Sequence, residues 1–280
     1  MKERIYSVPA ELDLMIAVVT DLHARDGTEV IQSLEKRKPD LITIPGDFVH
    51  KKRPQKNGKT LDIPIVAFQN NVMPFLNSCR EIAPTFVSLG NHEAVLDEDD
   101  LALVKSSGVT ILDNTFQRFS PEVVIGGLTA GHVINYREYR ASWFRTYGRT
   151  ERYPSRSAVE LPKWFNVEAN WLSVFEQQDG YKILLNHHPE YWSLREPYLS
   201  ERKIDLVLSG HAHGGQIRFF NKGLYAPGQG FFPKYTKGVF TGKNGRLVVS
   251  TGLCNTSGIF PRILNPTEIV YVNIYNVMQG

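Results

Sequence analysis

Five short apolar, β-prone runs in this chain each stop abruptly at a polar cluster. TDLHAR follows the run from Leu14 to Thr20, PGDFVH the run from Leu41 to Ile44, and GNHE the run from Thr85 to Leu89; NHHP follows Lys182 to Leu185, and GHAHGG follows Asp205 to Leu208. Stretches of helical period separate the early runs: Glu29 to Arg37, Ile65 to about Cys79, and a helix opened by the acidic residues Asp97 to Asp100, where negative charge suits a helix N-terminus. Strands alternating with helices in this way form a largely parallel sheet with helices packed on it. In such sheets ligands gather beyond the carboxyl ends of the strands, where loops from several strands converge on a fixed frame. The five clusters are therefore expected at one end of the molecule.

Beyond Val109 the pattern changes. Short strands are expected near Val109, Thr115 and Val123, then a polar, aromatic insert from Gly131 to Glu160, a helix near Glu168 to Gln177, and late strands at Arg246 to Ser250 and Glu268 to Tyr275. No repeat, low-complexity stretch or linker divides the 280 residues, and 42% hydrophobic content suffices for a sizeable core. The expectation is one α/β domain over residues 1–280 with two packed sheets. The first fifteen residues carry acids and a proline where a signal peptide is apolar, and no run approaches the ~20 apolar residues of a membrane span, so a cytoplasmic protein without a transmembrane segment is expected. Cys79 and Cys254 read as buried thiols rather than a disulfide framework. A net charge of +3 is too small to suggest a nucleic-acid-binding face.

The chemistry lies in the clusters. Six of the eight histidines sit near strand ends (His23, His92, His187, His188, His211 and His213). With Asp21, Asp47 and Asn91, the imidazoles of His23, His187, His211 and His213 make a mixed nitrogen and oxygen donor set of seven, suited to manganese, iron, zinc or cobalt rather than calcium. Seven donors exceed the needs of one ion. Two ions ~3.5 to 4 Å apart, with a carboxylate between them, use all seven and leave positions for water and substrate. Gly46, Gly90 and Gly210 precede donor-bearing residues, where the chain must turn sharply.

The ordered set DLH, GD, GNHE, HxP and GHAH resembles the calcineurin-like metallophosphoesterases, and the continuation HGGQI with GLYAPGQGFFPKY and PRILNPTEIV is similar to a bacterial subgroup of phosphodiesterases and phosphatases, some acting on lipid-linked substrates. The resemblance implies a four-layer αββα sandwich with two metals at one end. It implies that Asp21, His23, Asp47 and His213 hold the first ion, that Asp47, Asn91, His187 and His211 hold the second, and that Asp47 bridges them. It makes His92 the catalytic histidine, which hydrogen-bonds phosphate and protonates the leaving group. Asn91, His92 and Arg25 become the substrate-binding candidates, and His188 a supporting residue. The chain departs from the protein-phosphatase branch after its GD, where Phe48, Val49, His50, Lys51 and Lys52 replace the acid that orients the catalytic histidine and the arginine that clamps phosphate.

The activity so expected is hydrolysis of phosphomonoesters or phosphodiesters, small or lipid-linked, by a water ionised between the two cations. Four positive charges against the two of Asp21 and Asp47 leave a surplus that favours an anionic substrate and lowers the pKa of that water. Two other classes compete. A non-catalytic scaffold on the same fold is expected to have lost donors, whereas all seven are present. A nuclease needs a basic groove, for which the only candidate is the insert Gly131 to Glu160, with six arginines, three glutamates and the aromatic residues Tyr136, Tyr139, Trp143, Phe144 and Tyr147. That insert reads either as aromatic packing or as a lid, and its composition also suits peripheral contact with a membrane surface.

Overall fold

The computed structural model describes residues 1–50, 67–96, 98–130, 165–220, 222–254 and 261–277. The insert expected from Gly131 to Glu160, and Lys51 and Lys52, lie outside the described residues.

The chain begins with β1 (Lys2–Ala10) and β2 (Leu14–Val18), followed by α1 (Thr28–Arg37) and β3 (Leu41–Pro45). A π-helical turn, Phe68–Val72, leads into α2 (Met73–Ile82), then β4 (Thr85–Ser88), α3 (Glu98–Ser106) and β5 (Thr110–Leu112). A second series follows: β6 (Thr115–Ser120), β7 (Val123–Leu128), α4 (Phe165–Glu176), β8 (Tyr181–Asn186) and β9 (Leu206–Ser209). Four two-residue strands come next: β10 (Arg218–Phe219), β11 (Lys222–Gly223), β12 (Tyr225–Ala226) and β13 (Gly230–Phe231). The last are β14 (Gly238–Thr241), β15 (Arg246–Val249) and β16 (Glu268–Asn276).

Two mixed six-stranded sheets result, in the orders β1-β16-β2-β3-β4-β5 and β14-β15-β9-β8-β7-β6. Alternation along the strands makes the layers. In β2, Ile16 and Val18 face the second sheet while Ala17 faces the helices; in β8, Ile183 and Leu185 face the first sheet while Leu184 faces outward. Ile16, Leu41, Phe86, Ile125, Ile183, Leu206 and Val248 thus close an apolar layer between the sheets. Leu34 of α1, Leu76 of α2 and Val104 of α3 cover the outer face of the first sheet, and Leu172 and Phe175 of α4 cover that of the second. The arrangement is the four-layer αββα sandwich.

β3, β4 and β9 are buried on both faces, which explains why they read as uninterrupted apolar runs. The acids Glu98, Asp99 and Asp100 fill the first turn of α3 as expected. The expected helix before Cys79 is helical from Phe68, opens as a π turn and continues to Ile82. Both cysteines are buried and free. None of the described helices is long and apolar enough to cross a membrane.

Candidate metal centre

All five polar clusters leave the carboxyl ends of β2, β3, β4, β8 and β9, and cross-sheet hydrogen bonds lock them together. His187 Nδ1–H, from the second sheet, donates to the Pro45 carbonyl of the first at 2.9 Å, which turns Nε2 of the same ring toward the Asp47 carboxylate, 3.0 Å away. The His211 amide donates to both oxygens of Asp21 at 3.2 and 3.3 Å. The loops after β2 and β3 stay paired beyond the strands, His23 N–H to Asp47 O at 3.0 Å and Ala24 N–H to Phe48 O at 2.8 Å.

Asp47 sits at the centre. Its Oδ1 accepts the His92 amide at 2.8 Å, while Oδ2 lies 3.0 Å from His187 Nε2, 3.9 Å from His23 Nε2 and 3.8 Å from His92 Nε2. Asp21 Oδ1 stands 3.8 Å from Nε2 of both His23 and His213. Two donors bound to one ion at about 2.1 Å can be at most about 4.2 Å apart, so each of these pairs could share an ion. Two groups of donors follow, Asp21 with His23 and His213, and Asp47 with His187 and His211, each with its atoms within 4.8 Å of one another.

The donor set fits divalent cations on a further count. His23 Nε2 and Asn91 Oδ1 are buried and accept or donate no hydrogen bond among the described residues, a costly state for polar atoms that a cation would relieve. The backbone is also strained at these positions. Asp21, His23, Asp47, His211 and His213 all adopt left-handed φ values, between 45° and 63°, at about 1–3 kcal/mol each. Gly46 must be glycine on two grounds: its φ is +85°, and a Cβ there would come within 2.6 Å of the Gly90 backbone and 2.9 Å of His187 Nδ1.

Charge and burial are tightly balanced here. Burial disfavours the ionised Asp47 carboxyl, but His187, His92 and His23 outweigh it and hold that group well below the usual carboxylate range. Burial likewise pulls His187 down, and Asp47, with Asp21 and Glu93, overrides it and pushes the imidazole up to about 10. Burial lowers His23, His211 and His213, which favours the neutral, metal-ready ring.

His92 stands at the rim, its side chain 16% exposed and its ring 4.4 Å centroid to centroid from His23. Arg25 is exposed on the loop beyond His23. His188 packs against His211, with centroids 4.1 Å apart, and its Nδ1 meets the buried Glu190 carboxylate at 3.1 Å.

Several supporting residues escaped the sequence reading. Glu93 of GNHE is fully buried, and its carboxylate accepts the backbone amides of Asp47 at 2.8 Å, Val49 at 3.0 Å and Gly90 at 2.7 Å, so one side chain shapes the loop that carries Asp47. His50 packs beside both His92 and His23: its ring stacks 5.3 Å from His92, and its Nδ1 faces His23 Nδ1 at 3.5 Å, the length of a weak hydrogen bond. Asn265 Nδ2 donates to the His213 carbonyl at 2.7 Å, and Arg262 donates to the Cys254 carbonyl at 2.8 Å from the loop beneath Asp21. The acid three residues after Gly90 was the one available signal for Glu93, and the polar residues of PRILNPTEIV were the signal for Arg262 and Asn265.

The chain is similar in sequence to several known proteins. Relatives include the metallophosphoesterase YkoQ of Bacillus subtilis, 26% identical over 223 residues, covering 76% of this chain and 65% of that protein. A metallophosphoesterase of Aquifex aeolicus is 25% identical over 276 residues, covering 95% of this chain and 87% of that protein. The phosphodiesterase YaeI of Escherichia coli is 26% identical over 193 residues, covering 65% of this chain and 52% of that protein. The chain spans 62 to 65% of the length of YkoQ and of two similar Helicobacter pylori proteins. The profile of the calcineurin-like phosphoesterases matches residues 14–215, from the first residue of β2 to the loop that carries His211 and His213. With the match running from β2 to the loop after β9 and covering every strand end that supplies a donor, the chain belongs to the calcineurin-like phosphoesterase family.

Proposed function

We propose that the protein is a binuclear metal-dependent phosphoesterase, in which Asp21, His23, Asp47 and His213 would hold one cation and Asp47, Asn91, His187 and His211 the other, with Asp47 shared by both. The observation that carries this reading is the position of Asp47 Oδ2, within 3.9 Å of imidazole nitrogens from both donor groups. Manganese, iron, zinc and cobalt suit the mixed donors. Bound there, two such cations would supply Lewis acidity toward phosphoryl oxygens and lower the pKa of water.

The protein's own groups supply the rest. His187 is fixed through Pro45, so its Nε2 lone pair points inward without reorganisation. His92, held by its amide on Asp47, presents its ring at the rim and donates a proton to the departing oxygen of the ester. Arg25 offers a guanidinium to the anionic substrate from the loop beyond His23. Phosphodiesters are the favoured substrate class, supported by the likeness to YaeI. The scaffold alternative is disfavoured because all seven donors are present and five of them sit in strained backbone.

The test is a panel of alkyl and aryl phosphomonoesters and phosphodiesters, assayed after chelation and again after adding each of the four cations. Restored turnover, greater on diesters, is the expected result; no hydrolysis of any ester under any loading would refute the reading.

A further inference from the structure

Between Asp205 and Glu268 the chain has no acidic residue at all, yet it carries seven of the 32 lysines and arginines. Within this stretch four backbone segments lie side by side: Arg218 N–H bonds Ile263 O at 2.9 Å, Leu224 N–H bonds Ile217 O at 2.8 Å, and Phe232 N–H bonds Leu224 O at 2.8 Å. The platform they form is anchored to the candidate metal loop, because Arg218 donates to Gly214 O at 2.7 Å, Leu224 N–H to Gly215 O at 3.0 Å, and Asn265 to His213 O at 2.7 Å.

From it, large apolar side chains project into solvent: Phe219 is 68% exposed, Phe220 86%, Phe232 78% and Leu264 74%. Phe220, Phe232 and Leu264 adopt left-handed φ values of 44°, 53° and 52°, turn positions where glycine or asparagine is unstrained. Bulky apolar residues there cost backbone strain and gain little burial against the described residues. Exposed apolar side chains held at such a cost suit contact with an apolar partner.

We propose that this platform is a membrane-docking surface for an anionic lipid bilayer. Phe219 and Phe220 meet edge to face with ring centroids 4.5 Å apart, so the exposed side chains form an apolar cluster rather than scattered single residues. The exposed Lys222, paired with Phe219, and the exposed Lys234, two residues from Phe232, stand where ammonium groups would meet anionic headgroups. The acid-free stretch removes the charges such a surface would repel. Docking through it places the loop of His213 beside the bilayer, so ester bonds at the headgroup level come within the reach of this site. The docking claim does not depend on the phosphoesterase reading.

The test uses the full chain and sedimentation with vesicles of phosphatidylcholine alone or mixed equally with phosphatidylglycerol. The protein is expected to pellet with the mixed vesicles, to stay in the supernatant with the neutral ones at moderate salt, and to be released as salt rises. The triple variant Phe220→Asn, Phe232→Asn, Leu264→Asn should lose about a hundredfold or more in partitioning, while its melting temperature stays level or rises because asparagine tolerates the left-handed backbone. Lys222→Glu with Lys234→Glu should abolish the preference for anionic vesicles. Unchanged partitioning of the triple variant, or wild-type protein that ignores anionic vesicles, would overturn the proposal. So would a concentration-dependent dimer that the same variant dissociates while vesicle binding is absent in the wild type.

Discussion

Replacing Glu93 tests how the site is held before any metal arrives. Its two carboxylate oxygens accept three buried backbone amides, those of Asp47 and Gly90 on Oε2 and that of Val49 on Oε1. Glu93→Ala leaves all three without an acceptor, at about 1–3 kcal/mol each. Water entering the vacated space recovers part of that, so the expected loss is about 3–5 kcal/mol. At roughly 2–4 °C per kcal/mol for a chain somewhat smaller than this one, the midpoint should fall by roughly 6–20 °C. Glu93→Gln keeps one oxygen for Asp47 and Gly90 but sets an amide NH₂ against the Val49 N–H, so it should lose about 1–3 kcal/mol. Thermal and urea unfolding of the metal-free protein separates this effect from lost metal. A Glu93→Ala protein within about 1 kcal/mol of wild type, or a Gln variant as damaged as Ala, would refute the claim that this carboxylate shapes the loop.

Other outcomes follow from the same geometry. His92→Ala should keep its metals, slow hydrolysis of alkyl phosphodiesters by about 10² to 10⁴, and slow a nitrophenyl ester distinctly less, because nitrophenolate leaves without protonation; equal losses would remove His92 from the acid role. His50→Ala withdraws the group facing His23 Nδ1 and should weaken the ion held with Asp21 by about 10- to 100-fold, with partial recovery in His50→Asn, measured by chelator competition. In the metal-free protein His187 is raised to about 10, so it contributes stability that is complete below its ordinary value of 6.5 and fades as pH climbs toward 10. Metal loading needs that ring neutral, so calorimetry near pH 8 in buffers of differing ionisation enthalpy should show about one proton released from it; no buffer dependence would contradict the assignment.

What the sequence reveals and what it hides follow from how each residue does its work. β3, β4 and β9 are legible because strands buried on both faces must be apolar throughout. β1 escaped notice: it is an edge strand with Lys2, Glu3 and Arg4 exposed, and its parallel partner β16 lies at the other end of the chain, with Lys2 opposite Glu268. The Asp and His donors are legible because their chemistry is in their side chains and their place is fixed by strand ends. Glu93, Arg262 and Asn265 are not, because they act on backbone groups of distant segments, and a backbone amide or carbonyl leaves no mark on the sequence. His50 departs from a familiar motif in the sequence, and only the fold shows its ring packed against both His23 and His92. The strain in the candidate metal loops and at Phe220, Phe232 and Leu264 is likewise a property of φ, not of residue type.

The most direct test of the account is the metal content of the untreated protein and of Asp47→Asn, measured by elemental analysis on folded, gel-filtered samples. The geometry around Asp47 Oδ2 predicts about two transition-metal ions per wild-type chain. It also predicts that the Asn variant, with one bridging oxygen replaced by an amide, loses affinity for both ions together and loses turnover with them. One ion per wild-type chain, or an Asn variant that keeps both ions and most of its activity, would contradict the bridging role at the centre of this account.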